Sequence, residues 1–456
     1  MKHPHLIHLY NRVGFGILPQ QVAILSKHST EKNVAILFEE SDKTIPLKVD
    51  PIRIKGLEKF DSKNREERML LQREHRKLVI QLNMDWYQQL YNTNSLLREK
   101  MTLFWANHFV CSSNNALQTE QYIAVLKKYA LGNFKDFVVA ISKNPMMIRY
   151  LNNQQNKKAH PNENYARELM ELFTLGVGHY TEKDIQESAR AFTGWSSDKT
   201  KFVFRERQHD DGEKNFMGKT GNFDGTEIIN IILENKQCAL FISEKIYKEF
   251  VNPEPNKKHI KKMARVFRKN YQIDELMRFV LTSDWFYDDR NRNVKIKSPI
   301  ELLVGIHNII PFEFKKDKYF QYLQYNLGQK LLYPPNVAGW PGNKQWIDAN
   351  TIMLRLKLVS TIAQQKAIEL EAESEFEDDF EIINKRKKNK AYYITTTVDW
   401  QQFNKEHKNT SLKDWQQVLL GTQLSSNTEQ IISTINNHTA REFCITLMSL
   451  PEYQMC

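Results

Sequence analysis

Apolar residues along this 456-residue chain recur mostly at spacings of three and four, and few stretches alternate in the manner of a strand. This pattern predicts a mainly α protein in which many amphipathic helices each bury one face. No segment repeats with a fixed period, so a solenoid is not expected. The predicted helices are residues 19–37, 63–91, 96–110, 119–131, 134–142, 162–175, 182–193, 226–233, 236–250, 257–269, 273–281 and 299–310.

Two short stretches favour strand over helix. They are KFVFRER, which starts at Lys201, and KNFMG, which starts at Lys214. The segment QHDDGE between them is polar and contains Gly212, as hairpin connections commonly do. The sequence therefore predicts one small β-hairpin or tight loop that projects from a helical body.

The composition changes between residues 368 and 392, where the acidic block ELEAESEFEDDFE is followed by the basic block KRKKNK. Opposite charge blocks with few apolar residues are typical of an exposed insertion or linker. Residues 397–456 regain helical periodicity and are expected to pack back on the body. We therefore predict one helical domain over residues 1–456, with a charged insertion within it.

The stretch HPNENYARELMELFTLG concentrates charge in a single predicted helix. At about 100° per residue, its polar and apolar side chains fall on opposite arcs. The polar arc comprises Glu163, Asn164, Arg167, Glu168, Glu171 and Thr174. One interpretation is a solvated face on which Arg167 pairs with Glu163 and Glu171 at i,i+4 spacing, each pair contributing only about 0.2–0.5 kcal/mol. The other is a site in which Asn164, Glu168 and Glu171 converge on a hard cation or form an acid–base pair held by Arg167.

Two further polar clusters lie outside this helix. In WANHFV, Asn107 and His108 stand among aromatic residues, so His108 is either a hydrogen-bonded core histidine or a metal ligand or proton carrier. In QHDDGEK, His209 and Asp210 are adjacent in a predicted loop, where they could ligate a metal or share a proton. The alternative for this second cluster is a set of solvated turn residues.

The segment YPPNVAGWPGNKQW combines prolines, which restrict φ, with glycines, which permit close approach of neighbouring groups. We predict an ordered loop that either lines a binding pocket or fastens the carboxyl-terminal part to the core. Asn336, Trp340 and Trp346 in this loop are predicted substrate-binding residues. So are Trp195, which follows the predicted helix 182–193, and Asn164 on the glutamate helix. Ordinary packing is the alternative for each tryptophan.

Composition narrows the classes of function. The formal charge is +11, but basic residues are interspersed with acids, so a nucleic-acid partner is not favoured. The four cysteines lack CxxC spacing, which disfavours a disulfide framework or a zinc site.

No apolar stretch is long enough for a membrane span, and the first residues lack a secretory signal, so a cytoplasmic location is expected. Walker, HExxH and GxSxG motifs are absent, which disfavours P-loop, zincin and α/β-hydrolase chemistry.

Taken in order, seven stretches resemble the bacterial family known as domain of unknown function 1800. They are HLYNRVGFG, FWANHF, NPMMIRYLNNQQN, NENYARELMELFTLGVGHYTEKDIQESARAFTGW, HDDGEK with Gly218, VKIKSPIEL and LYPPNVAGWPGNKQW. The family more usually has His where Ala106 stands, so any role of that histidine is lost here. The resemblance implies no established activity, but it implies that seven polar residues belong to one site: His108, Glu163, Glu168, Glu171, His209, Asp210 and Lys214.

The resemblance also implies a partner. Members of the family often look paired with a sulfatase-like protein that carries a twin-arginine export signal. Joint export with such a partner would place this protein in the periplasm, which is the alternative to a cytoplasmic location.

These features lead to the hypothesis of an enzyme, a hydrolase or an oxidoreductase, with a carboxylate- and histidine-lined pocket between helices. Its cofactor would be a divalent metal ion held by His108, Glu163, His209 and Asp210. Glu168 and Glu171 would act as general bases or further metal ligands, and Arg167 or Lys214 would stabilise developing negative charge.

The alternative hypothesis is a non-catalytic module. It would bind or mature the sulfatase-like partner through an aromatic surface around Trp195, Trp340 and Trp346, with the polar helix serving only as structure.

Overall fold

Helices dominate the computed structural model, which describes residues 1–50, 64–366, 368–370, 392–421, 424–435 and 438–456. The prediction of a mainly α protein is confirmed. The α-helices in the described part of the chain are α1 (His3–Val13), α2 (Pro19–Leu25), α3 (Thr30–Glu40), α4 (Arg65–Asn92), α5 (Leu96–His108), α6 (Ala116–Tyr129), α7 (Phe134–Ser142), α8 (Pro145–Tyr150), α9 (Asn164–Glu168), α10 (Glu182–Ala191), α11 (Gly225–Glu234), α12 (Lys236–Phe250), α13 (Lys257–Phe267), α14 (Ile273–Thr282), α15 (Pro299–Ile309), α16 (Asp317–Asn326), α17 (Ala349–Ala363), α18 (Trp400–Glu406), α19 (Leu412–Leu420), α20 (Ser426–Thr434) and α21 (Ala440–Met448).

Local capping sets many of these boundaries. The single helix predicted over residues 19–37 is wrong, because the chain forms α2 and α3 with a break between them. Ser29 begins the second helix: its side chain accepts a hydrogen bond from the amide of Lys32 at 3.2 Å, which satisfies an otherwise unpaired N–H.

The strands form separate two-stranded ribbons rather than a common sheet. In the described residues they are β1 (Trp195–Asp198), β2 (Lys201–Phe204), β3 (Lys214–Phe216), β4 (Lys219–Gly221), β5 (Phe312–Phe314), β6 (Ile368–Leu370), β7 (Tyr392–Ile394) and β8 (Thr396–Val398). They pair antiparallel as β1 with β2, β3 with β4, β5 with β8, and β6 with β7.

Both predicted strands exist, and the prediction of a small β-hairpin on a helical body is confirmed. The expected pairing of the Lys201 strand with the Lys214 strand is wrong, and a loop joins them instead. Each strand pairs with a nearer neighbour, so the chain forms two hairpins. The second turns at Met217 and Gly218, whose φ angles of 48° and 79° are the left-handed pair that a tight two-residue hairpin turn requires.

Buried apolar side chains from Leu6 to Tyr453 form one continuous cluster. The described part of the carboxyl-terminal segment contributes to it, since Trp415 and Leu447 are fully buried. Residues 371–391, which make up most of the predicted charged insertion, lie outside the described residues. None of the described helices has both the length and the apolar character needed to cross a bilayer.

A buried carboxylate joins distant parts of the chain. Glu301, in the first turn of α15, forms ion pairs with Lys100 of α5 and with Lys295, the latter at 2.9 Å. Its second oxygen accepts a hydrogen bond from the Ser298 amide at 2.6 Å, which caps α15. All three charged side chains are at most about 6% exposed, so each depends on the others for compensation.

The Pro/Gly/Trp-rich loop fastens the chain to α5. Asn107 accepts a hydrogen bond from the Trp340 amide at 2.7 Å and donates one to the Trp340 carbonyl at 3.3 Å. Gly339 makes this approach possible: its φ is +89°, and a Cβ there would overlap Asn107 Oδ1 and lie 2.9 Å from the Asn107 carbonyl oxygen. Trp340 and Trp346 are each 5% exposed. Of the two predicted roles for this loop, the contacts favour fastening.

We expect Gly339→Ala to lower the free energy of unfolding by about 2–3 kcal/mol, because alanine is strained at positive φ and its methyl group would displace the Asn107 amide. Urea unfolding of the purified chain measures this. Gly342→Ala in the same loop is the control, since no atom lies within 4 Å of its Cβ position and its φ of −127° is ordinary. Equal stability of the two variants would contradict the fastening role.

Candidate functional site

The charged helix of HPNENYARELMELFTLG is not a regular α-helix. α9 ends at Glu168 and continues as a π-helix, Leu169–Thr174. The wider π turn changes which side chains face inward. Thr174, predicted on the polar arc, is fully buried, and its hydroxyl donates to the Leu169 carbonyl at 2.6 Å. π-turns are rare and occur frequently at functional sites.

Arg167 on this helix is occupied by two surface carboxylates. Its guanidinium contacts Glu163 at 3.2 Å, as the i,i+4 spacing predicts, and it forms a second, bidentate pair with Glu182 at the start of α10. The Arg167 and Glu163 side chains are 36% and 39% exposed. The predicted Arg167–Glu171 pair is absent from the ion pairs of the described residues, because Glu171 has a different partner.

Glu168 and Glu171 are both half-buried on the same strip. The Tyr180 hydroxyl donates to Glu171 at 2.6 Å. Burial, and then the negative charge of Glu171, raises the pKa of the Glu168 carboxyl above its ordinary value, against a smaller opposing effect of Arg167. Asn164 beside them is exposed, and its amide donates to the Leu151 carbonyl at 3.1 Å. The two carboxyls therefore form a pair in which one is stabilised in its protonated form.

A second polar group surrounds Arg190 at the end of α10. Its guanidinium binds Asp210 through two hydrogen bonds of 2.8 and 3.2 Å and Glu187 through one of 2.9 Å. This contact lowers the pKa of Asp210. Lys214 is buried, and its ammonium donates to the carbonyls of Asp210 and Gly212 at 2.6 and 3.0 Å. These contacts order the QHDDGE loop around Asp210 and Lys214, while Asp211, Gly212 and Glu213 remain exposed, as the alternative of solvated turn residues expects.

His209 belongs to the same loop but forms its hydrogen bond with a different residue, Thr193. The ring is 6% exposed, and Nδ1 lies 2.8 Å from the Thr193 carbonyl oxygen. Since a carbonyl only accepts, Nδ1 carries the proton. The Thr193 hydroxyl in turn accepts from the Asp210 amide at 2.8 Å. His209 and Thr193 therefore hold the start of the loop against the end of α10.

His108 is enclosed by aromatic side chains of α5 and its surroundings. Nε2 donates to the Phe173 carbonyl at 3.0 Å, whereas Nδ1 is buried without a hydrogen-bond partner among the described residues. Burial, and then the positive charge of Lys245, lowers the pKa of His108 to about 3. His108 thus contacts the buried side of the π-helix as a neutral, hydrogen-bonded core histidine.

The structure brings the predicted residues together only in part. Glu163, Arg167, Glu168 and Glu171 share one strip, and His209, Asp210 and Lys214 share one loop. α10 connects the two groups, since Glu182 at its start binds Arg167 and Arg190 near its end binds Asp210. Within the described residues, no group of three or more His, Cys, Asp or Glu side chains is placed to hold a metal ion. The four predicted metal ligands accordingly have separate partners.

Of the predicted substrate-binding residues, Asn164 lies on the glutamate strip, whereas the three tryptophans and Asn336 have other surroundings. Trp195 is 3% exposed and packs edge-on against Phe192 and Phe202, with the Lys143 ammonium 5.1 Å from its ring centre. Asn336 is exposed and accepts from the Ala338 amide at 2.9 Å, which stabilises a turn. Like Trp340 and Trp346, Trp195 is an interior packing residue.

Sequence reasoning overlooked two residues that organise these groups. The ion pair of Arg190 could be predicted from local sequence, because Arg190 follows Glu187 at i,i+3 spacing in QESARAF. Tyr180 had none, since its contact with Glu171 spans a loop between two helices and depends on how that loop folds.

A comparison with protein families gives one match. The sequence model of the family described as "Protein of unknown function (DUF1800)" matches residues 8–455. No curated protein and no solved structure matches the chain.

The buried state of His108 predicts a pH dependence of stability. Its pKa is about 3 in the folded chain and about 6.5 when unfolded, so the unfolded state binds more protons between these values. The contribution of neutral His108 to the free energy of unfolding is fully present above about pH 6.5 and is lost as the pH falls below that value. We expect the difference in unfolding free energy between wild type and His108→Leu to shrink by about 2 kcal/mol from pH 7 to pH 5.

Urea unfolding at the two pH values measures this difference. His179→Leu, which removes an imidazole from an exposed turn, is measured in parallel as the control for loss of a surface histidine. A constant difference for His108→Leu would contradict a neutral, buried imidazole.

Proposed function

The chain belongs to the DUF1800 family, and we propose that this protein is an enzyme that transfers protons to and from a polar substrate through the paired carboxyls of Glu168 and Glu171. The reaction class that suits such a pair best is hydrolysis. One carboxylic acid gives a proton to the leaving group while the other, as a carboxylate, activates water.

The observation that carries the proposal is the difference between the two carboxyl environments. Burial and the Glu171 charge raise the pKa of Glu168, which suits it to the role of general acid. Glu171 accepts a hydrogen bond from Tyr180 at 2.6 Å, which fixes its orientation and suits it to the role of general base. The raised pKa of one carboxyl and the fixed orientation of its neighbour suit the pair to acid–base catalysis.

Three neighbouring features support this assignment. The π-helix starts directly after Glu168, which gives the glutamates a backbone geometry unlike that of the flanking helices. Arg167, held by Glu163 and Glu182, keeps a positive charge beside the pair. Asn164 is exposed one turn earlier, where its carbamoyl oxygen is available to orient a polar substrate.

The remaining predicted residues receive supporting roles in this proposal. Asp210, Lys214 and His209 shape the loop at the far end of α10, and we assign them positioning rather than contact with substrate. The proposal gives no role to a metal ion, since Glu163, His108, His209 and Asp210 are each bonded to a different partner.

The alternative, binding of a sulfatase-like partner through an aromatic surface, gains no support from the tryptophans. An interface anchored by Trp195, Trp340 and Trp346 would need their rings at the surface, and all three are at most 5% exposed.

We expect the purified chain to hydrolyse at least one class in a panel of chromogenic esters, amides, glycosides, phosphate esters and sulfate esters. Glu168→Gln and Glu171→Gln should each lower kcat by about 100-fold or more, because each removes one partner in proton transfer. The rate should fall as pH rises through the raised pKa of Glu168, since a general acid must be protonated.

Glu254→Gln, at an exposed position distant in sequence, is the control and should retain the wild-type rate. Full activity in both active-site variants, or no turnover of any class, would overturn the proposal. Elemental analysis of the same samples adds a second readout. A stoichiometric divalent metal lost in Glu168→Gln but kept in Glu254→Gln would assign the carboxylates to metal binding instead.

A further inference from the structure

A second part of the molecule has the form of a ligand site. A cleft of about 1270 Å³ opens among α1, α2, α15, the β5–β8 ribbon, α18 and α19. Its lining comes only from residues 10–96 and 297–453, so it is distinct from the glutamate strip on α9. The walls combine aromatic faces with side-chain amides, as sites for small organic ligands do. These residues include Tyr10, Phe15, Tyr91, Phe312, Trp400, Tyr453, Asn11 and Asn308.

Lys297 supplies an amine to this cleft. Its Nζ lies 3.7 Å from the centre of the Tyr453 ring, and it forms no ion pair within the described part of the chain. Lys295 differs in this respect, because it forms ion pairs with Glu249 and Glu301. An aromatic face is a weaker partner than a carboxylate, so the Lys297 amine remains available to a ligand.

The backbone of Lys297 is held firmly on both sides. Its amide donates to the Gln454 carbonyl at 2.8 Å, and its carbonyl accepts from the buried Arg355 guanidinium at 2.6 Å. The next residue, Ser298, caps α15. A side chain anchored in this way starts from a fixed point at the wall of the cleft, which reduces the entropy lost when its amine engages a ligand.

The setting makes the neutral amine more accessible than in an ordinary lysine. Burial lowers the pKa of Lys297 to about 8; Cys456 opposes this shift, and the charge of Arg355 adds a smaller lowering. His307, which also lines the cleft, is neutral at physiological pH because burial lowers its pKa to about 4. The carboxylates in the lining are exposed and lie toward the outside, where they disfavour entry of anions. They are Glu40, Glu313, Asp399 and Glu406.

From this geometry we infer that Lys297 is the reactive amine of a site for small neutral carbonyl compounds, aldehydes or ketones, which it holds as a Schiff base. The neutral amine attacks the carbonyl carbon to give a hemiaminal. Uptake of one proton from solvent and loss of one water then leave a protonated imine, so no oxidant or reductant is consumed. The aromatic walls and the amides of Asn11 and Asn308 would enclose the remainder of the ligand.

Reductive trapping on the full-length wild-type chain tests this inference without any substitution. The protein is incubated with glycolaldehyde and cyanoborohydride between pH 6.5 and 9, and the hydride converts each imine to a stable secondary amine. Peptide mass spectrometry then gives a modification rate for every lysine. Lys344, exposed in the Pro/Gly/Trp-rich loop, serves as the reference within the same sample.

We expect Lys297 to be modified at pH 7.5 at least about tenfold faster than Lys344, because burial lowers the pKa of the Lys297 amine to about 8 and the cleft holds the aldehyde beside it. The Lys297 rate should also saturate with aldehyde concentration, which indicates a bound complex, whereas the Lys344 rate should rise linearly. A Lys297 rate equal to or below that of Lys344, or one that does not saturate, would overturn the inference. So would faster modification by the anion glyoxylate than by glycolaldehyde. None of these results bears on the glutamate variants, so the two proposals fail independently.

Discussion

The buried carboxylate of Glu301 is the constraint on which much of this structure depends. It compensates the ammonium groups of Lys100 and Lys295, and it caps α15 through the Ser298 amide. A charge removed from water without compensation costs several kcal/mol, so these groups must meet in a single arrangement. Because Lys100 and Glu301 are 201 residues apart, the contact joins the amino-terminal helices to the carboxyl-terminal half of the chain.

Lys297, two residues from Lys295, has a different environment. One oxygen of Glu301 contacts both ammonium groups and the other accepts from the capping amide, whereas Lys297 forms no ion pair among the described residues. Its amine lies over the Tyr453 ring at the wall of the cleft. Two lysines separated by a single residue thus have different chemistry, one compensated in the interior and one available to a ligand.

The two arginines of the polar groups serve structure in a similar way. Arg167 and Arg190 each bind two carboxylates, and the helix α10 carries one member of each set. The guanidinium N–H donors of both arginines are therefore already hydrogen-bonded to carboxylates. Glu168 and Glu171 are the carboxyls of the strip that form no ion pair within the described residues. We assign the proposed proton transfer to Glu168 and Glu171 because the arginines form their ion pairs with other carboxylates.

Periodicity and capping were sufficient to predict the helical body, the amphipathic glutamate helix and its pair Glu163–Arg167. These features depend on residues within one or two turns of each other, so the local sequence contains the information. The expected pairing of the Lys201 and Lys214 strands is wrong because strand propensity does not specify a partner. The tight turn that joins each strand to its nearer neighbour decides the pairing. The π-helix also escaped prediction, since it differs from an α-helix by one residue per turn.

The sequence by itself determined that this protein is mainly helical, that it carries a strip of carboxylates on one helix, and that its Pro/Gly/Trp-rich loop is ordered. Only the tertiary structure decided that His108 is an apolar-core residue, that the three tryptophans are interior, and that Lys297 faces a cleft. The reason is physical: protonation, burial and pairing of a side chain are set by atoms from distant segments. Tyr180 on Glu171 and Arg355 behind Lys297 are contacts of this kind, and no local pattern encodes them.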